Sequence, residues 1–153
     1  MQKKYEIVIA DTSCFILLEK IGELGILKLL FSKIITTDTI ASEFGCPLPP
    51  WIQIRTPKNI TFQNSLDIDA GEASAITLAL ESENSLLILD DNKGRKLARR
   101  LNLLFTGTLG IILKAKNVGI IPSIKPIIQK IQETNFRFSQ KVLDEKIYVL
   151  ANE

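Results

Sequence analysis

Short apolar runs alternate along this chain with segments of helical period, and few folds accept that alternation. Strands separated by helices pair in parallel, because a crossover of a dozen or more residues returns the chain to its starting direction. Glu6–Ala10 (E-I-V-I-A) reads as a first, central strand. Asp11-Thr12-Ser13 then supplies a helix cap, and Cys14, Phe15, Leu17, Leu18 and Ile21 form an apolar helical face. A second helix is expected over Glu23–Phe31, with Leu24, Leu27, Leu30 and Phe31 inward. Lys33–Thr36 follows as a strand, and Thr37 or Asp38 caps a helix that runs through Phe44.

Gly45–Pro57 holds four of the six prolines and cannot be continuous helix; it is expected to carry an edge strand, Trp51–Arg55, followed by a loop to Leu66. Asp69–Glu83 has the period of a helix, with Ala73, Ile76, Thr77 and Leu80 on one face. The unbroken apolar run Leu86–Leu89 predicts a strand buried on both faces. Asn92–Leu101 reads as a basic helix, Leu103–Thr106 as a strand and Leu109–Asn117 as a helix. Two last helices, near Ser123–Thr134 and Ser139–Leu150, flank Phe136 and Phe138.

The 153 residues fit one domain, 1–153, with 122–150 as a C-terminal helical segment. No internal repeat, low-complexity tract or linker interrupts them. Apolar residues make up 46% against 24% charged, which argues for a packed core rather than disorder, yet no apolar run approaches a membrane span. The first residues run into a strand-like segment and not a signal-peptide core. Cys14 and Cys46 lack zinc-type spacing and read as reduced thiols of a cytoplasmic protein, a disulfide being the alternative.

Charge is unevenly distributed. Residues 1–91 carry 7 Lys and Arg against 13 Asp and Glu, whereas residues 92–141 carry 11 against the single acid Glu133. An acidic first part beside a basic second part fits a cation site next to a polyanion-binding face, although a solvated basic surface gives the same count.

The chain has no histidine, so acid–base chemistry built on imidazole is excluded and carboxylates are left to carry any site. Carboxylates suit hard cations such as Mg²⁺ or Mn²⁺. Asp11 ends the first strand, where ligands of open parallel sheets bind, but it can equally serve as an N-cap. Glu43 lies late in a short helix, a position the helix dipole disfavours unless a cation lies near; an ordinary surface Glu is the competing reading. Asp69-Ala70-Gly71-Glu72 matches a capping box that explains both acids without function, although a first-turn Glu can also project towards a site on the same edge of the sheet. Asp90 and Asp91 follow the buried strand directly; one can cap the next helix, and the other then needs a partner, for which a metal is economical. Downstream stand Lys93, Arg95, Lys96, Arg99 and Arg100, with Arg95 and Arg99 as i, i+4 neighbours able to grip phosphates. Gly107-Thr108-Leu109-Gly110 opens the next helix, whose free N–H groups could receive a phosphate or carboxylate; it reads as readily as a plain turn.

Taken in order, these residues resemble the PIN domain, the nuclease fold of VapC-type toxins. The likeness rests on Asp11-Thr12-Ser13, Thr39-Ile40-x-x-Glu43 and Gly71-Glu72-x-x-Ala75-Ile76-x-Leu78-Ala79. It continues through Leu89-Asp90-Asp91-x-x-x-Arg95-x-x-Ala98 and Gly107-Thr108-Leu109-Gly110-x-x-Leu113-x-Ala115-Lys116-x-x-Gly119-x-Ile121, the last three blocks being especially close to one PIN-like subgroup. The resemblance spans nearly the whole chain. It implies an α/β fold, a three-layer α/β/α sandwich around a five-stranded parallel sheet of order 3-2-1-4-5. It also implies a Mg²⁺- or Mn²⁺-dependent endoribonuclease with acids gathered at the strand ends. Carried over by position, Asp11, Glu43, Glu72 and Asp91 are the catalytic acids, with Glu72 where many relatives have Asp and Asp90 a possible substitute for Asp91.

On this reading Asp11 and Asp91 are the main metal ligands, with Glu43 and Glu72 binding directly or through water. Thr12, Ser13 or Thr108 orients the phosphate or water, and Lys93, Arg95 and Arg99 neutralise RNA. A cognate antitoxin and a homodimer are partners by resemblance only. The first rival is a catalytically degenerate module of the same fold that binds RNA or protein. A phosphoacceptor receiver domain is the second, but it wants an acidic cluster after the first strand and a Lys after the last. Here Asp11 stands alone and Leu103–Gly107 ends without a Lys.

Overall fold

A computed structural model describes residues 7–136 of the chain. Five strands, β1 (Ile7–Ala10), β2 (Ile34–Thr37), β3 (Ile52–Arg55), β4 (Ser85–Ile88) and β5 (Leu104–Thr106), form one parallel sheet in the order β3-β2-β1-β4-β5. Helices α1 (Thr12–Lys20) and α2 (Gly25–Leu30) join β1 to β2, and α3 (Asp38–Phe44) joins β2 to β3. Helices α4 (Ile60–Ser65) and α5 (Ala70–Leu80) carry the chain back across the sheet to β4, and α6 (Asn92–Arg100) links β4 to β5. After β5 come α7 (Thr108–Asn117) and α8 (Lys125–Gln132). With helices on both faces, the molecule is a three-layer α/β/α sandwich of the expected strand order.

Burial follows from that layering. Every residue of β1, β2 and β4 is buried, as a parallel sheet covered on both sides requires. Phe15, Leu18 and Leu27 from the first two helices meet Ile9, Ile35 and Leu87 of the sheet in one core. The edges β3 and β5 are more open, and each shows one exposed large apolar residue, Ile54 and Leu104. Cys14 is buried and Cys46 exposed, and both are free thiols. Among the described residues no helix is long and apolar enough to cross a membrane.

Two expectations are corrected. The segment before Leu66 is not all loop, because α4 forms within it. Asn59 caps it by accepting from the Phe62 amide at 3.0 Å, and the Glu81 carboxylate accepts from the Lys58 and Asn59 amides at 2.8–3.0 Å. That second anchor lies 22 residues downstream and α4 buries no residue, so no local periodicity announces it. The second correction concerns α5. It has no single apolar face, since Gly71 through Ala79 are all buried while Leu80 is 42% exposed. This helix packs on the sheet between α3, α4 and α6 and is covered except at its two exposed ends, Ala70 and Leu80. The expected helix Ser139–Leu150, together with Glu6 and Phe138, lies outside the described residues.

Candidate functional site

The strand order reverses at β1: the chain builds outward through β2 and β3, then returns to add β4 and β5 on the other side. The carboxyl ends of β1 and β4 therefore flank a topological switch point, the usual ligand crevice of an open α/β sheet. Ala10 pairs with Ile88, and the Asp11 amide donates to the Ile88 carbonyl at 3.2 Å. Asp11 and Asp90 thus leave neighbouring strands at one edge.

Asp11 occupies the N-cap position of α1, but its side chain makes no capping bond, so the cap does not account for it. It is only 5% exposed. Burial pushes its carboxyl up to about 7; the Thr12 amide pulls it back, and the charges of Asp69, Glu43 and Asp90 push it further.

Glu72 enters from the first turn of α5. Asp69 caps that helix by accepting from the Glu72 amide at 2.9 Å, which is half of the capping box. The Glu72 carboxylate turns inward, and its Oε2 is buried with no hydrogen-bond partner among the described residues. Burial first, then the Asp69 carboxyl beside it, then Asp11 and Asp91 raise this group to about 9. Gly94 of α6 makes room for it, since a β-carbon there would lie 2.8 Å from Oε2.

Glu43 hangs from the end of α3, which Gly45 terminates in the left-handed conformation at φ 77°. Its carboxylate leans over Gly71 of α5, where any β-carbon would collide with it. Burial first, then the Asp69 charge, raise it. The two helices are fastened by Thr37, which accepts from the Ile40 amide and lies 2.6 Å from Ser74 Oγ. Ser74 donates its one proton to the Gly71 carbonyl, so Thr37 must be the donor between the two hydroxyls.

Asp90 and Asp91 both find partners at helix N-termini, where a metal had been the economical partner for one of them. Asp91 caps α6, its Oδ2 accepting from the Lys93 and Gly94 amides at 3.0 and 3.3 Å. Asp90 takes the start of α7 instead: the Thr108 amide donates to Oδ1 at 2.9 Å and the Thr108 hydroxyl to Oδ2 at 2.6 Å. Thr108 is therefore turned to Asp90 and buried, away from the phosphate or water it was expected to meet.

Arg95 also differs from expectation. Its Nε donates to the Leu89 carbonyl at 2.8 Å and its guanidinium lies 5.7 Å from the Phe105 ring centre, so part of its fork is committed. Arg99 sits 5.3 Å over the same ring and is exposed, as are Lys93, Lys96 and Arg100. Thr12 and Ser13 are half-buried in the first turn of α1, and Thr12 Oγ1 has no hydrogen-bond partner among the described residues.

Two members were not assigned to the site from the sequence. Asp69 acts electrostatically on Asp11, Glu43 and Glu72 and so stands among the acids as well as capping α5. Its place one turn before Glu72 was the available signal, hidden because the capping motif explained it. Cys14, one turn after Asp11, lies beneath the site: burial, Asp90 and Asp11 drive its thiol far up, and the Thr108 hydroxyl is close enough to pull it back.

Among the described residues no three of these groups stand ready to hold a metal ion as they are arranged. In kind they fit a hard divalent cation, because every donor is oxygen and the buried Glu72 Oε2 lacks a partner. A cation there would also relieve the mutual repulsion that raises Asp11 and Glu72. A family model described as a PIN domain matches residues 7–153 of the chain. Among curated proteins, none matches.

Proposed function

Because the chain belongs to the PIN-domain family and has its nuclease-type fold, we propose that it is a Mg²⁺- or Mn²⁺-dependent endoribonuclease. We read it as acting in the cytoplasm as the toxin of a toxin–antitoxin pair. One observation carries the metal dependence: the Glu72 carboxylate is buried at the switch point, beside Asp11, with an oxygen that nothing in the described chain satisfies. Leaving such a group unpaired is costly, and a cation is the partner its chemistry suits.

When bound, the ion activates a water and neutralises charge on the attacked phosphate. Asp11 and Asp91 are the main ligands in this reading, with Glu43 and Glu72 binding directly or through water and Asp90 held in reserve by Thr108. In the metal-free chain the Asp11 carboxyl, at about 7, holds a proton that a bound cation would displace. Thr12 and Ser13 at the start of α1 orient the water or phosphate, which Thr108 is not free to do. Lys93 and Arg99 neutralise the RNA backbone.

A second reading is favoured by the occupation of both Asp90 and Asp91 by helix N-termini: a degenerate module that binds RNA or protein without cutting. The test is an assay of structured and single-stranded RNAs with Mn²⁺, Mg²⁺ or chelator, comparing wild type with Asp11→Asn. Cleavage that needs metal and is lost in Asp11→Asn supports the nuclease. Salt-sensitive RNA binding with no metal-dependent cleavage overturns it in favour of the module.

A further inference from the structure

We propose that Arg95 is a positioning residue that fixes the Asp90–Asp91 edge of the site, and that gripping RNA falls to its neighbour Arg99. Three contacts carry this. Nε of Arg95 donates to the carbonyl of Leu89, the residue immediately before Asp90, at 2.8 Å. Its guanidinium lies over Phe105 of β5. Its Nη2 rests against Gly107, the residue immediately before Thr108, so closely that a β-carbon at 107 has no room.

These contacts close a ring. Leu89 is bonded to Asp90, both oxygens of Asp90 are held by Thr108, Thr108 is bonded to Gly107, and Gly107 abuts Arg95, which returns to Leu89. Asp90 Oδ1 would lie 2.9 Å from the same missing β-carbon, so Arg95 and Asp90 converge on Gly107 from two sides. Arg95 therefore spans the end of β4 and the start of α7, and the Thr108–Asp90 contact forms only where those two ends are held in register. Arginine is the required residue. Only a planar guanidinium can donate through Nε while lying on an aromatic ring and pressing its far nitrogen on backbone. Arg99 meets the same ring from an exposed position, with no hydrogen bond to backbone among the described contacts.

The catalytic consequence rests on the nuclease reading, but the positioning itself can be read without cleavage. Cys14 is fully buried on α1, one turn after Asp11 at this edge, so its alkylation reports opening of the packing there. Exposed Cys46 is removed as Cys46→Ser. In that full-length background, iodoacetamide labelling of Cys14 is followed in Arg95→Ala, Arg95→Lys and Arg99→Ala, alongside RNA cleavage with Mn²⁺. Arg95→Ala and Arg95→Lys are expected to label roughly ten- to a hundredfold faster than the parent, since the lysine keeps the charge but not the fork. Both lower kcat at little-changed KM, whereas Arg99→Ala keeps the parent labelling rate and raises KM. Parent-like protection of Cys14 in Arg95→Lys overturns the proposal. So does a loss in Arg95→Ala that falls on KM alone, as in Arg99→Ala. If the parent itself cuts no RNA under any metal, the nuclease reading fails while the labelling rates still decide whether Arg95 positions this edge.

Discussion

The Glu72 carboxylate lies directly against the α-carbon of Gly94, leaving 2.8 Å between Oε2 and the place a β-carbon would take. Helix α6 thus needs a glycine in its first turn because of a side chain from α5, not because of its own backbone. Gly94→Ala should separate stability from function. Alanine gains about 1 kcal/mol of helix propensity, which offsets much of the cost of moving the end of a flexible Glu. Thermal melting is expected to shift by only a few degrees, roughly 2–4 °C per kcal/mol in a chain of this size. Displacing Glu72 should nevertheless weaken Mn²⁺ binding by about tenfold or more, measured by titration calorimetry. Unchanged Mn²⁺ affinity would remove Glu72 from the metal site.

Asp11→Asn tests the neighbouring acid in the opposite direction on stability. Burial and three carboxylates oppose ionisation of Asp11, so at pH 8 its charge destabilises the metal-free protein. The neutral amide of nearly the same shape should raise metal-free stability at pH 8 by roughly 1–3 kcal/mol. The gain should be smaller at pH 5, where the Asp11 carboxyl is neutral in the folded chain and ionised only in the unfolded one. Urea unfolding at the two pH values checks this, and the same variant should lose metal-dependent cleavage.

A pH dependence follows from the raised groups together. The carboxyls of Asp11 and Glu72 move up in the folded chain, to about 7 and about 9, so the folded state holds protons that the unfolded state has released. Their contribution is fully present below about pH 4 and is lost as pH rises through 7 and then 9. The metal-free melting temperature should therefore fall across pH 5–9. Mn²⁺ displaces those protons, so millimolar Mn²⁺ should flatten the fall and stabilise most at the alkaline end. Equal slopes with and without Mn²⁺ would place the cation elsewhere.

Most strand and helix positions were legible because strand burial and helix period are local signals, whereas the sheet order came through the resemblance. Leu86–Leu89 announced a buried strand from its neighbours alone, while the local sequence left the cap of α3 open between Asp38 and the Thr37 that takes it. The convergence of Asp11, Glu72 and Asp90 was legible only through topology and resemblance, since the first and last are 79 positions apart in the chain. What escaped was set by distant partners. Helix α4 depends on Glu81, the Thr108 hydroxyl is claimed by Asp90, and Arg95 is claimed by Leu89 and Phe105. In each case a residue of ordinary local meaning had its polar atoms taken by another element. Side-chain availability, unlike helix period, is a property of the packed fold.

Thr108 offers the sharpest separation of a hydroxyl from a side chain. Its hydroxyl and amide hold both oxygens of Asp90, and the residue is fully buried. Thr108→Val keeps nearly the same volume and the amide bond but leaves Asp90 Oδ2 without its donor. A hydrogen bond to a charged group contributes about 1.5–3 kcal/mol, and that is the expected loss in urea unfolding. Thr108→Ser keeps the donor and loses one methyl group, so it should cost only about 1 kcal/mol. If Asp90 is the reason for the loss, Thr108→Val should cost less when Asp90 is already Asn. The double-mutant cycle should then show a coupling of roughly 1 kcal/mol or more. Independent, additive effects would mean that the valine acts by packing, and that Asp90 is held by the Thr108 amide alone.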